Sequence, residues 1–180
     1  MFSGKSTELI RAVKREAYAK KRTGVFKPST DNRYSEDKVV THDGLDFPTF
    51  TIPPTKEGIE KIYEIVKQDN LDVIGIDEIH FFSPEIVNLC EKLADEKVKV
   101  VVTGLNLDFR GEPFEVVSKL LPRADNIRHL TAVCSICGNT ASRSQRLIDG
   151  KPAKYDAPTI MVGGKELYEP RCREHHELSR

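Results

Sequence analysis

The sequence predicts an α/β fold: a parallel-sheet core followed by a small C-terminal unit built around a metal. Three observations carry that prediction. Short apolar runs alternate with amphipathic helical stretches through the first two thirds of the chain. After Leu130 the alternation gives way to short extended pieces separated by turns. In that last third, metal-ligating residues fall as two closely spaced pairs. The boundary is placed near residue 131, giving a core over 1–130 and an appended unit over 131–180.

Taken in order, Leu9, Ile10, Val13 and Ala17 recur at helical spacing and predict an amphipathic helix over about 6–22, with Gly24 as its terminator. Val25 and Phe26 lead into Lys27-Pro28, and 29–37 reads as a polar loop. Weaker strand signals follow at 39–41 and 49–52. Pro53-Pro54 then precedes a helix over 55–68, with Ile59, Ile62, Tyr63 and Val66 on one stripe. Val73, Ile74, Gly75 and Ile76 form an apolar run too short for a helix, as expected of a strand buried on both faces. A helix near 84–96 and an extended run over 98–103 complete the alternation, which requires right-handed crossovers. Beyond 131, Asp149-Gly150 and Gly163-Gly164 read as turns.

Composition narrows the function classes. Of 180 residues, 38% are hydrophobic and 31% charged, an ordinary globular balance. Because 28 basic side chains offset 28 acidic ones, no general field attracts nucleic acid or an anionic membrane. A polyanionic ligand must therefore meet a local site, which favours a small phosphorylated molecule. No apolar run reaches the roughly 20 residues of a membrane helix, and no signal-peptide layout opens the chain, so a cytoplasmic protein is expected. The cysteine spacing suits a metal in a reducing compartment better than disulfides.

The chain opens Met1-Phe2-Ser3-Gly4-Lys5-Ser6-Thr7, the second half of the phosphate-loop pattern G-x-x-x-x-G-K-[ST], immediately before the first helix. Gly4 lets backbone amides close on phosphate oxygens, Lys5 brings a cation to the β and γ phosphates, and Ser6 ligates magnesium. The helix adds its positive end. Asp77-Glu78 follows the buried run at 73–76, where enzymes of this kind hold magnesium with an acid. Neighbouring residues at a strand end point in different directions, so Asp77 is assigned to magnesium and Glu78 to the general base.

Cys134-x-x-Cys137 and Cys172-x-x-His175 form a structural zinc signature, with His176 an alternative fourth ligand. Four protein ligands leave no open coordination position, so the metal holds the unit together and takes no part in chemistry. Cys90, inside a helix stripe, is read as core.

With these motifs in place, the chain resembles the type II, zinc-containing thymidine kinases. The landmarks are 1–7, Phe26-Lys27-Pro28 with Asp31, Arg33 and Tyr34, Asp77-Glu78 with Phe81-Phe82, Gly104-Leu105 through Phe109 to Pro113-Phe114, the zinc pairs, and Gly163-Gly164 with Tyr168. The resemblance implies a RecA-like P-loop core and a zinc ribbon whose long loop, the lasso, closes over the nucleoside. It implies transfer of the γ-phosphate of ATP to the 5′ hydroxyl of thymidine or deoxyuridine, giving the monophosphate for DNA synthesis by salvage, with Glu78 as base. Nucleotide binding falls to Ser3, Gly4, Lys5, Ser6, Thr7 and Asp77, with Arg33 near the phosphate donor. Contacts to the base fall to Met1, Phe81, Leu105, Phe109, Phe114, Ser144, Met161 and Tyr168. A homotetramer and feedback inhibition by dTTP in the substrate site are further implications.

Three positions depart from the family pattern: His80 stands where glutamine is usual, Asn106 where aspartate is common, and Ser144 where threonine is common. Ser144 lacks one methyl near the base, which implies slightly looser thymine packing. Two other readings compete, a P-loop switch whose ribbon binds nucleic acid and a scaffold with a decayed loop. Neutral charge opposes the first, and Lys5, Ser6, Asp77 and Glu78 oppose the second. A parallel sheet normally supplies a strand into the phosphate loop, so a natural chain longer by roughly 10 to 25 residues is expected.

Overall fold

The computed structural model describes residues 2–29, 39–40, 46–47, 49–159 and 167–179. Helix α1 (Lys5–Tyr18) buries Leu9 and Val13, one turn apart, as the periodicity predicts. It ends four residues before the expected limit, and Gly24 is not its terminator: that glycine lies inside strand β1 (Thr23–Pro28). A Cβ on Gly24 would stand 2.8 Å from Leu71 Cδ1, so the residue is small for packing. The helix instead stops at Lys20, whose φ of 60° is left-handed. Lys20 N–H bonds Ala17 O at 2.8 Å and Lys21 N–H bonds Glu16 O at 3.3 Å, the paired bonds of a Schellman cap.

Strands β2 (Val39–Val40) and β3 (Asp46–Phe47) form a small antiparallel pair, and β4 (Thr49–Ile52) returns to the main sheet. Thr55, whose side chain accepts from Gly58 N–H at 3.4 Å, caps α2 (Lys56–Gln68). The chain continues through β5 (Val73–Ile76), a short 3-10 turn over Ile79–Phe81, α3 (Ile86–Asp95), β6 (Lys99–Val102) and α4 (Glu115–Leu120). Helix α4 has no counterpart in the sequence reading, since six residues are too few for periodicity to register. Helices α2 and α3 end as α1 does, with Asn70 (φ 49°) and Lys97 (φ 67°) in the left-handed position, where the sequence offers no glycine. Leu71 and Val98, next in the chain, are both buried.

The sheet has the order β4-β1-β5-β6 and is parallel throughout, with Phe26 opposite both Phe50 and Ile76, and Ile76 opposite Val102. Its two faces bury different sets. Phe26, Ile74 and Ile76 pack with Ile59, Ile62 and Val66 of α2 and Ile86 and Leu93 of α3. Val25, on the opposite face, packs with Leu9 and Val13 of α1. Gly75 sets how near α1 lies, because a Cβ there would be 3.0 Å from Val13 Cγ2. Cys90 joins the larger cluster, and burial pushes its thiol up to about 12.

The C-terminal third is antiparallel and built from short pieces. Strands β7 (Ala132–Val133) and β8 (Thr140–Ala141) pair, while β9 (Arg143–Ile148) is flanked by β10 (Lys151–Pro152) and β11 (Tyr168–Arg171). Asp149 (φ 49°) and Gly150 (φ 74°) make the two-residue turn between β9 and β10, as expected of an Asp-Gly pair. Gly163-Gly164 lies outside the described residues. A small apolar cluster gathers Ala153 and Tyr168 around Phe109, which reaches in from the loop after β6. Among the described residues, no helix is long and apolar enough to cross a membrane.

Candidate active site and metal cluster

The carboxyl ends of parallel strands are where open α/β sheets collect ligands. Here Asp77 directly follows β5 and Thr103 directly follows β6, and Ser6 at the start of α1 meets Asp77. Gly4 sits before the helix in the left-handed region (φ 73°, ψ 24°), with nothing within 4 Å of where its Cβ would be. The first bond of the helix runs from Glu8 N–H to Gly4 O at 2.9 Å. The amides of residues 5–7 precede it and are the donors a helix start leaves for an anion.

Asp77 is held by three groups. Ser6 Oγ donates to its Oδ2 at 2.5 Å, the Thr103 hydroxyl donates to Oδ1, and the Glu78 amide donates to Oδ1 at 2.8 Å. Ser6 and Asp77, 71 positions apart in sequence, thus present adjacent oxygens of the kind a hard cation binds. Glu78 adopts φ 47° and ψ 43°, an uncommon conformation for a residue with a side chain and one that clusters at functional sites. The two carboxylates diverge: Asp77 meets Ser6 and Thr103, whereas Glu78 Oε2 lies 3.5 Å from Nδ1 of His80.

Three of the sequence-predicted base contacts sit on or beside this turn. Phe81 and Phe114 are half-buried, with ring centroids 4.2 and 4.6 Å from that of His80. Leu105 donates its amide to His80 Nδ1 at 3.2 Å. The loop from Leu105 doubles back on itself, with Phe114 N–H bonded to Asn106 O and Asp108 N–H to Glu112 O. Its tip carries Phe109, buried against the C-terminal cluster.

Tyr168 and Ser144 lie on paired strands of the C-terminal sheet, and both are buried. The sequence reading missed Arg146, which holds Tyr168. Its side chain is 1% exposed, donates twice to Tyr168 Oη at 2.9 and 2.7 Å, and binds the carbonyls of Pro158 and Thr159. The guanidinium also lies 4.0 Å from the Phe109 ring centre. Arg110 grips the same stretch through the carbonyls of Tyr155 and Ala157 while paired with Asp108 at 2.8 Å. No sequence signal marks Arg146, because an arginine in a strand reads as solvated surface until its partners are known.

The zinc signature converges. The ligand atoms of Cys134, Cys137, Cys172 and His175 lie within 4.8 Å of one another, with Cys172 Sγ 3.1 Å from His175 Nδ1. His176 is engaged elsewhere, its Nε2 2.8 Å from Phe109 O. Burial alone would raise the Cys134 thiol, but the amides of Cys172, Cys137 and Ile136 outweigh it and bring the thiol down to about 6. A thiolate is the form that binds a metal, and three sulfurs with one imidazole are a zinc donor set.

Ser3, Gly4, Lys5, Ser6, Thr7, Asp77 and Glu78 are therefore grouped at the carboxyl end of the sheet, while Ser144 and Tyr168 lie in the C-terminal unit and Phe109 packs against it from the loop after β6. Met1, Arg33 and Met161 fall outside the described residues.

Comparison with known proteins is consistent with this layout. The family described as thymidine kinase matches residues 1–176. A thymidine kinase from Thermococcus kodakarensis is 55% identical over 176 residues, covering 98% of this chain and 89% of that relative.

Proposed function

The chain belongs to the thymidine kinase family, and we propose from that premise that it is an ATP-dependent kinase transferring the γ-phosphate to the 5′ hydroxyl of thymidine or deoxyuridine in nucleotide salvage. The observation that carries the division of labour is the Ser6–Asp77 contact at 2.5 Å, which joins the start of α1 to the end of β5. On a P-loop reading, Ser3, Gly4, Lys5, Ser6 and Thr7 cradle the phosphates, with Arg33 near the donor. Ser6 and Asp77 would hold Mg2+, which supplies charge neutralisation on the transferring phosphoryl group. The residues fit that ion: both donors are hard oxygens already in contact.

Glu78 takes the proton of the 5′ hydroxyl, its divergence from Asp77 leaving one carboxylate for each task. Phosphoryl transfer depends on positioning, which the nucleoside contacts supply: Phe81, Leu105 and Phe114 beside the turn, Phe109, Ser144 and Tyr168 from the C-terminal side, with Met1 and Met161 completing the set. The Cys134, Cys137, Cys172 and His175 cluster fits structural zinc and leaves no position for substrate. The division into a core over 1–130 and a zinc-ribbon and lasso unit over 131–180, a homotetrameric assembly, dTTP feedback and a cytoplasmic location belong to the same reading and rest on family membership.

Incubation with ATP and each of deoxyadenosine, deoxycytidine, deoxyguanosine, thymidine and deoxyuridine tests it. Turnover confined to thymidine and deoxyuridine is expected; phosphorylation of deoxyadenosine or deoxycytidine at equal rates would refute the assignment.

A further inference from the structure

His80 is the buried titratable side chain nearest the reaction centre to which the mechanism above gives no task. Its side chain is 1% exposed, and its ring is packed between Phe81 and Phe114. Its Nδ1 accepts the Leu105 amide at 3.2 Å and lies 3.5 Å from Glu78 Oε2. A backbone N–H can only donate, so Nδ1 carries the lone pair and the ring proton sits on Nε2. In that tautomer His80 does not donate to Glu78. Gly104 packs closely on this turn, since a Cβ there would stand 3.0 Å from Ile79 Cγ2 and 3.4 Å from His80 Nδ1.

We propose that His80 is a positioning residue that couples the nucleoside-contacting backbone at Leu105 to the Glu78 carboxylate. The Leu105 amide fixes the tautomer, and the tautomer fixes how imidazole and carboxylate face one another. Phe81 and Phe114, tilted 35° and 55° to the imidazole, pack against it beside both groups. A thymine seated on Phe81, Leu105 and Phe114 therefore presses on the same ring that borders the base. This inference rests on the reading of Leu105 as a nucleoside contact and Glu78 as base.

Two substitutions separate positioning from simple packing. His80→Gln retains an acceptor for the Leu105 amide, whereas His80→Phe keeps an aromatic ring beside Phe81 and Phe114 and strands that amide. His80→Phe should lower kcat/KM for thymidine by about 10- to 100-fold, the usual effect of stranding a half-buried donor, while KM for ATP stays within about 2-fold. His80→Gln should recover most of the loss. Equal activity of the two variants, equal loss in both, or a shift in the ATP KM as large as that for thymidine would overturn the proposal. Should His80→Phe fold poorly, nitrogen-15 NMR of the intact protein decides: a pyridine-type Nδ1 is expected, and a protonated Nδ1 at neutral pH overturns the coupling. Glu78→Gln in the same assay keeps the failures apart. Full activity there removes the base assignment and leaves the His80–Leu105 link to be read from the thymidine KM alone.

Discussion

The sheet core and the C-terminal unit reach order by different physics. In the core, Phe26, Ile74 and Ile76 meet the apolar stripes of α2 and α3, and the contacts that join sheet to helices are apolar burial. The C-terminal unit buries far less: one cluster is Phe109, Ala153 and Tyr168, and the other is two cysteines with Ala141. What replaces burial there is directional. The candidate metal ligands Cys134, Cys137, Cys172 and His175 converge, and two arginines hold the carbonyls of Tyr155, Ala157, Pro158 and Thr159. The chain thus has a part that tolerates volume-conserving change and a part that depends on individual donor atoms.

The contrast is broken or sharpened by substitution, beginning with the largest effect. Glu78→Gln should lower kcat by about two to four orders of magnitude, the scale of losing a general base, with thermal stability and thymidine binding unchanged. Rapid-quench kinetics beside calorimetry check it, and equal loss of binding would contradict the base role. Cys134→Ser should abolish the single zinc equivalent measured by elemental analysis and unfold the C-terminal unit first, while far-ultraviolet dichroism retains the helices of the core. Simultaneous collapse of both parts would erase the distinction. Ile62→Ala should cost about 2–5 kcal/mol in denaturant unfolding, yet leave the zinc content at one. Arg146→Lys keeps the charge and loses the fork, leaving buried acceptors unpaired, so the midpoint temperature should fall and thymidine KM should rise by about 10-fold. Smallest, Thr55→Ala at the start of α2 should cost about 1 kcal/mol and leave activity intact.

What the sequence made legible follows the same division. Periodicity located α1, α2, α3 and the buried strand over 73–76 because apolar burial leaves a repeating trace in the chain. It misplaced the end of α1, since Gly24 serves close packing against Leu71 and the left-handed cap falls on Lys20. Short motifs with fixed chemistry also read well, and Cys134, Cys137, Cys172 and His175 converge as their spacing implies. The spacing left His175 and His176 undecided, because only the fold brings the Phe109 carbonyl to one of them. Arg146 and His80 could not be read as they stand. Their roles lie in partners 22 and 25 positions away, and neither a buried arginine nor a buried histidine announces itself by pattern.

The loop from Leu105 to Phe114 carries one more consequence, for recombination. Phe109 is encoded with the sheet yet packs among Ala153 and Tyr168. A chimera that grafts a relative's residues 131–180 onto this core would seat the native Phe109 in a foreign socket. Carrying 104–114 along with the graft would keep plug and socket from the same ancestor, so the unit of inheritance is two separated stretches of gene.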